Sequence, residues 1–233
     1  MDSLRPYLVR WHKPDASSFS NQSSFDTHYP VRLKDGSMLE LPLRPLPGRQ
    51  KAIALLMSNQ TPFAVEAALA PLLVELASDF SPDIIAAVPT MGLDYARLVA
   101  QGLGHPHYAA LGLSRKFWYS EDLAESMSSS TSPTQTKSIY LDPALLSRVA
   151  GRRVVLVDDV INTGASAVAA IRLLMRAGAI VEGLVVVLTE GHAWRDLLAN
   201  IDPSWPARVR AVGHIPLFIQ TADSKWTPDR TTL

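Results

Sequence analysis

The sequence predicts an α/β protein, a parallel β-sheet covered by helices on both faces and preceded by a small appendage of hairpin and loops. Three observations predict it. The runs DIIAAVP, RRVVLVDD and AIVEGLVVVLT are continuously apolar rather than alternating, which marks strands buried on both faces. Segments of helical spacing separate them, the βαβ rhythm of a parallel sheet. The first sixty residues lack that rhythm and carry an Asp35-Gly36 step between alternating apolar residues in PVRLKDGSMLELPLR, a hairpin signal.

Taken in order, residues 1–60 form the appendage, closed by Pro42, Pro45 and Pro47. They lean basic, with eight Lys/Arg against five acids. Thr61 and Pro62 predict a helix start, Thr as N-cap and Pro at the first helical position. The helix FAVEAALAPLLVELASDF should kink or split at Pro71. A strand ending at Pro89 follows. A helix over Gly92–Leu103 then presents Leu93, Ala96, Ala100 and Leu103 on one face, and His107–Leu113 reads as the next strand. Periodicity is lost between Ser114 and Ser138, where ESMSSSTSPTQTKS predicts a long functional or structureless loop. After RRVVLVDD, the helix GASAVAAIRLLMRAG places Ala167, Ile171, Leu174 and Met175 on one stripe and ends at Gly178. The strand AIVEGLVVVLT, a helix near Ala193–Asn200 and a strand near Val209–Phe218 complete the core, residues 61–219. Residues 220–233 form a tail.

Composition narrows the function. The 233 residues carry 22 Lys plus Arg and 22 Asp plus Glu, no net charge, which argues against a general nucleic-acid binder. Without Cys there is no disulfide, Cys-ligated zinc or thiol nucleophile. Asp2, Arg5 and Pro6 interrupt the N-terminal run, and Gly183–Thr189 is too short to span a bilayer. A cytoplasmic protein with no membrane partner is expected.

The chemistry concentrates in VVLVDDVINTGAS, Val154–Ser166. An apolar strand delivers Asp158 and Asp159 to the carboxyl edge of a parallel sheet, where open α/β sheets bind ligands. The turn Asn162-Thr163-Gly164-Ala165-Ser166 then opens a helix whose N-terminal amides and dipole favour an anion. Acceptors for sugar hydroxyls thus stand beside donors for a phosphate. A Walker loop is excluded by the missing Gly-Lys-Ser/Thr ending. A haloacid-dehalogenase-type pair is excluded because position 160 is Val. His105 and His107 flank Pro106, but no third metal ligand is near them in sequence.

VVLVDDVINTGAS resembles the phosphoribosyl-pyrophosphate (PRPP) signature of type I phosphoribosyltransferases. DIIAAVPTMGLDYARLVAQGLG is similar to their pyrophosphate-loop strand and following helix. SRKFWY is similar to the strand end before the flexible loop of the adenine and xanthine branch. The resemblance spans roughly residues 61–219 and implies a PRPP-binding core, with the N-terminal appendage as a hood. It implies transfer of the 5-phosphoribosyl group from PRPP to a base, a purine in nucleotide salvage, by a homodimer that uses Mg²⁺. Asp158 and Asp159 would hold the ribose hydroxyls and, directly or through water, the metal. Val160, Ile161, Asn162, Thr163, Gly164, Ala165 and Ser166 would form the PRPP motif, with the turn on the 5′-phosphate. Thr90, Met91 and Gly92 would meet the diphosphate, in a loop that is often strained or cis. Arg115 and Lys116 would add charge near it, and a mobile loop over 117–137 would close the site.

Departures from the family leave the acceptor base open. The loop lacks the aromatic-Glu-Tyr-Gly segment of adenine enzymes, and Glu121, Asp122 and Glu125 are its only acids. The pyrophosphate loop lacks their Arg, and position 162 is Asn where hypoxanthine-guanine enzymes carry an acid. Trp11, Phe19, Phe25, Phe218 and Trp226 are candidates to stack on a base, although packing is the more ordinary role for each. A non-catalytic PRPP-sensing regulator is the alternative. It should carry a helix-turn-helix or a basic face, and neither is evident in the first sixty residues.

Overall fold

A computed structural model describes residues 6–14, 22–48, 50–127 and 137–233. The chain begins with β1 (Arg10–His12), β2 (His28–Arg32), β3 (Met38–Pro45) and β4 (Lys51–Ala54). The Asp35-Gly36 step makes the expected hairpin, with β2 antiparallel to β3 and Arg32 opposite Met38. Gly36 takes the left-handed φ of +83° that this turn requires, and Asp35 accepts from the Ser37 amide and hydroxyl.

The remaining elements are α1 (Phe63–Ser78), β5 (Ile84–Ala87), α2 (Gly92–Gly102), β6 (Ala109–Ala110), β7 (Ala124–Met127), β8 (Lys137–Tyr140), α3 (Leu146–Val149), β9 (Arg153–Ile161), α4 (Ala165–Arg176), β10 (Ile180–Glu190), α5 (Ala193–Ala199), β11 (Val209–Ile215), β12 (Phe218–Gln220) and β13 (Trp226–Pro228). Five strands form the predicted parallel sheet in the order β11-β10-β9-β5-β6. A second sheet, antiparallel in its pairings, runs β1-β3-β4-β12-β13 with β2 on β3. It is built from both ends of the chain.

The parallel sheet separates two apolar clusters. On one side Val155, Val157, Val185 and Val187 pack with Leu69, Leu73 and Tyr95 of the helices and with Leu39, Leu41 and Phe218 of the second sheet. On the other, Val154, Leu156 and Val186 pack with Ile171, Leu174 and Trp194. The site edge is therefore anchored on both faces. Among the described residues no helix is long and apolar enough to cross a membrane.

Several expectations change. The first helix starts at Phe63, with Pro62 rather than Thr61 in the cap position, and continues through Pro71. Pro71 and Ala67 are both exposed, so the carbonyl that loses its intrahelical bond faces water, while Leu69 and Leu73 are fully buried. The expected strand over His107–Leu113 shrinks to Ala109–Ala110, because Gly112 leaves the parallel sheet and exchanges both backbone bonds with Tyr140. The strand expected over Val209–Phe218 divides at Pro216, which has no N–H to continue a ladder, and its second part joins the antiparallel sheet. Met175 is 51% exposed, whereas Val168 and Leu173 are buried, so the packed face of α4 is rotated from the predicted stripe.

The Ser/Thr-rich segment is also less irregular than expected at its ends. β7 and β8 form an antiparallel ribbon, held by buried Leu123, Ile139 and Leu141 and by an ion pair from Glu125 to Arg176 of α4. Residues 128–136 of the expected loop lie outside the described residues.

Candidate active site

β9 is fully buried from Val154 to Val157 and then carries Asp158 and Asp159. The strand runs on through Val160 to Ile161, in register with Leu188 and Thr189 of β10, two residues further than the sequence reading placed its end. The Asp159 amide donates to Asp158 Oδ1 at 2.9 Å. Burial holds the Asp158 carboxyl well above the usual carboxylate range, and the Asp159 charge adds to the effect; burial raises Asp159 as well. Ionised carboxylates only accept, and hydroxyl groups or a hard cation suit such a pair.

The turn after β9 follows from its residues. Gly164 adopts a left-handed φ of +85°, and a Cβ there would lie 3.3 Å from the Trp194 Cα and Cβ; glycine alone suits both conditions. Gly164 caps α4, and Thr163 Oγ1 accepts from the Ala165 amide at 3.4 Å. Asp158, Asn162, Thr163 and Ser166 line a shallow cleft of about 130 Å³, with Val160, Ile161, Gly164 and Ala165 completing its wall. The first amides of a helix point into such a cleft without intrahelical partners.

Thr90 and Met91 connect β5 to α2, and the Pro89–Thr90 peptide is cis. Gly92 opens α2 hard against β9. A Cβ at Gly92 would stand 2.7 Å from the Val157 carbonyl oxygen and 2.9 Å from Asp158 Oδ1. The structure thus brings the Thr90–Gly92 loop, Asp158 and the start of the 162–166 turn to one edge.

It does not bring Arg115 and Lys116 to the cleft. Both are exposed beyond β6, which is separated from β9 by β5, and Arg115 pairs with Glu121 at 3.1 Å. The candidate stacking aromatics are committed elsewhere. Phe218 is fully buried, Phe25 and Trp226 nearly so, and the Trp11 indole N–H donates to Ser37 Oγ. Phe19 lies outside the described residues. His192 and His214 stack at 5.4 Å, with His214 Nδ1 bonded to Thr189 Oγ1 and its Nε2 to the Thr232 carbonyl.

Two residues at this edge carried no sequence signal. Ser58, only 1% exposed, reaches the Met91 carbonyl and Asp94 Oδ2, each at 2.8 Å, and so ties the N-terminal region to the loop. Glu190 ends β10 with 4% exposure. Burial pushes its carboxyl up to about 7, against a hydrogen bond from the Asn162 side chain.

Asp158 and Asp159 are hard oxygen donors of the kind Mg²⁺ prefers. Among the described residues no group of three or more ligating side chains surrounds them. The donor set fits an ion that takes its remaining ligands from substrate oxygens and water.

Residues 61–214 match the model of the phosphoribosyl transferase domain family. The chain is 34% identical over 174 residues to an adenine phosphoribosyltransferase of Thermobifida fusca, an alignment covering 73% of this chain and 92% of that protein. Its fold is similar to the crystal structure of adenine phosphoribosyltransferase from Rhodothermus marinus, with a TM-score of 0.55, 23% identity, and 74% and 94% of the two chains covered. The enzyme of the same name from Thermoanaerobacter pseudethanolicus gives a TM-score of 0.53 at 19% identity, covering 70% and 95%. With the family match spanning the parallel sheet and both loops of its carboxyl edge, the chain belongs to the type I phosphoribosyltransferases, on the branch that resembles the adenine enzymes.

Proposed function

We propose that the protein transfers the 5-phosphoribosyl group of PRPP to a ring nitrogen of a purine, with adenine the first base to test. The observation that carries this reading is the convergence of three parts on one sheet edge: the Asp158-Asp159 pair, the 162–166 turn and the Thr90–Gly92 loop. In this reading the two carboxylates accept from the ribose 2′ and 3′ hydroxyls. The turn and the N-terminus of α4 take the 5′-phosphate, and the amides of Thr90–Gly92 face the diphosphate. Mg²⁺, held at Asp158 and Asp159 directly or through water, would neutralise the departing pyrophosphate. The C1′–oxygen bond to pyrophosphate breaks as a C1′–nitrogen bond forms, and the base nitrogen loses its proton. The protein's own share is orientation and electrostatic support for a cationic ribosyl carbon.

The test is pyrophosphate release from PRPP and Mg²⁺ with adenine, hypoxanthine, guanine, xanthine and orotate supplied singly. Release should be fastest with adenine. Release with orotate alone would overturn the purine assignment, and no release with any base would overturn transfer itself.

A further inference from the structure

The 162–166 turn is supported from behind at two points. Trp194 of α5 backs Gly164, with its Cα and Cβ 3.3 Å from where a Cβ would stand, and its indole N–H is fixed on the Gly191 carbonyl at 3.1 Å. The second support is polar. β9 and β10 are in register at Ile161 and Thr189, so Asn162 and Glu190 are the next residues on the two strands. Glu190 is buried within reach of the Asn162 side chain, with no basic side chain paired to it among the ion pairs of the described residues.

An Asn side chain has a donor end and an acceptor end, whereas an ionised carboxylate only accepts. Ionised Glu190 therefore engages Asn162 Nδ2 and turns Oδ1 toward the cleft, where an oxygen repels an anion. A protonated Glu190 donates to Oδ1 and turns the Nδ2 hydrogens outward. We propose that Glu190 is a positioning residue for the phosphate turn: in its protonated form it aims the Asn162 amide hydrogens at the 5′-phosphate, so that binding of PRPP and retention of a proton on Glu190 are coupled. This rests on the reading that the turn takes the 5′-phosphate.

Burial lifts the Glu190 carboxyl to about 7, within the range where such coupling operates. Other charged or titratable groups toward the same end of the neighbouring strands are Asp158 and Asp159 on β9 and His214 on β11, with Arg153 and Arg210 at the far ends. At the start of α5 stand His192, Arg195 and Asp196, with Arg230 in the C-terminal turn. None offsets the burial effect on Glu190, and burial holds His214 below its ordinary value.

Two measurements test the coupling. In the unliganded full chain, the Glu190 carboxyl carbon and the Asn162 side-chain amide are followed by NMR between about pH 5 and 9. Both should move with one midpoint near 7, and Glu190→Gln should abolish the movement of Asn162. An Asn162 signal that ignores pH, or that titrates unchanged in the Gln variant, overturns the proposal. In calorimetry, PRPP affinity of the natural chain should weaken about tenfold as pH rises from ~7 to ~8.5. Proton uptake on binding should exceed that of Glu190→Gln, whose affinity stays tight and flat. Glu190→Ala should bind about tenfold more weakly throughout. A Gln variant whose pH profile follows the natural chain overturns the proposal. Failure of the natural chain to bind PRPP would instead sink the functional reading, and the NMR arm still decides the Glu190–Asn162 coupling.

Discussion

At the carboxyl edge of the parallel sheet the protein buries Asp159 and Glu190 and half-buries Asp158, each with its carboxyl raised by desolvation. In the antiparallel sheet it buries aromatic rings: Phe25 against Tyr29 at 5.0 Å and Tyr29 against Phe218 at 4.8 Å, both edge to face. The second arrangement is explained by packing alone, since buried rings stabilise a core by area and geometry. The first opposes stability, because an ionised carboxylate out of water costs free energy unless something pairs with it. Of the candidates to stack on a base, Phe25, Phe218 and Trp226 serve as core.

The largest effect expected at the acidic edge is catalytic. Asp158→Asn together with Asp159→Asn should reduce pyrophosphate release by about a thousandfold or more, roughly 4 kcal/mol of barrier, without lowering the melting temperature. A collapse in melting temperature would move the pair to the structural side of the comparison. Phe218→Ala tests the other side and should cost about 3–5 kcal/mol in denaturant unfolding while leaving PRPP affinity unchanged. Weakened base binding with little loss of stability would return Phe218 to the site.

Glu190 gives a pH-dependent contrast. Its folded-state value of about 7 exceeds the ordinary carboxyl value of about 4.3, so the native state holds the proton more tightly than the unfolded chain. The stability this confers is complete below the unfolded value and is lost as pH rises through about 7. Over that window it amounts to roughly 4 kcal/mol. Denaturation measured across the window should show this decline in the natural chain and not in Glu190→Gln. An equal slope in both would assign it to other groups. The smallest effect is at the seam between the regions. Ser58→Ala should cost about 1 kcal/mol and raise the KM for PRPP a few-fold, through the loosened Met91 carbonyl. An unchanged KM would show that the Thr90–Gly92 loop holds itself.

Much of this was legible in one dimension because its causes are local. The Asp35-Gly36 hairpin, the apolar strands and the left-handed glycine at 178 follow from neighbouring residues and backbone sterics. Where the reading missed, the deciding contact was distant. Pro71 stays inside α1 because the Ala67 carbonyl it leaves unpaired faces water, and Met175 is exposed because the face of α4 is chosen by the sheet and by Trp194. Ser58 looks like an ordinary loop serine until the fold sets it under Met91.

By itself the sequence determined the order of the parallel-sheet strands and the helices between them, the acid pair and the phosphate-type turn, since each is a contiguous segment whose spacing dictates its geometry. Only the tertiary structure decided that both ends of the chain share one sheet, that Gly92 presses the Thr90–Gly92 loop onto Asp158, and that Glu190 lies buried against Asn162. The physical reason is desolvation and close packing: both depend on which distant residues exclude water and occupy space, and neither is a property of a residue and its neighbours in the chain.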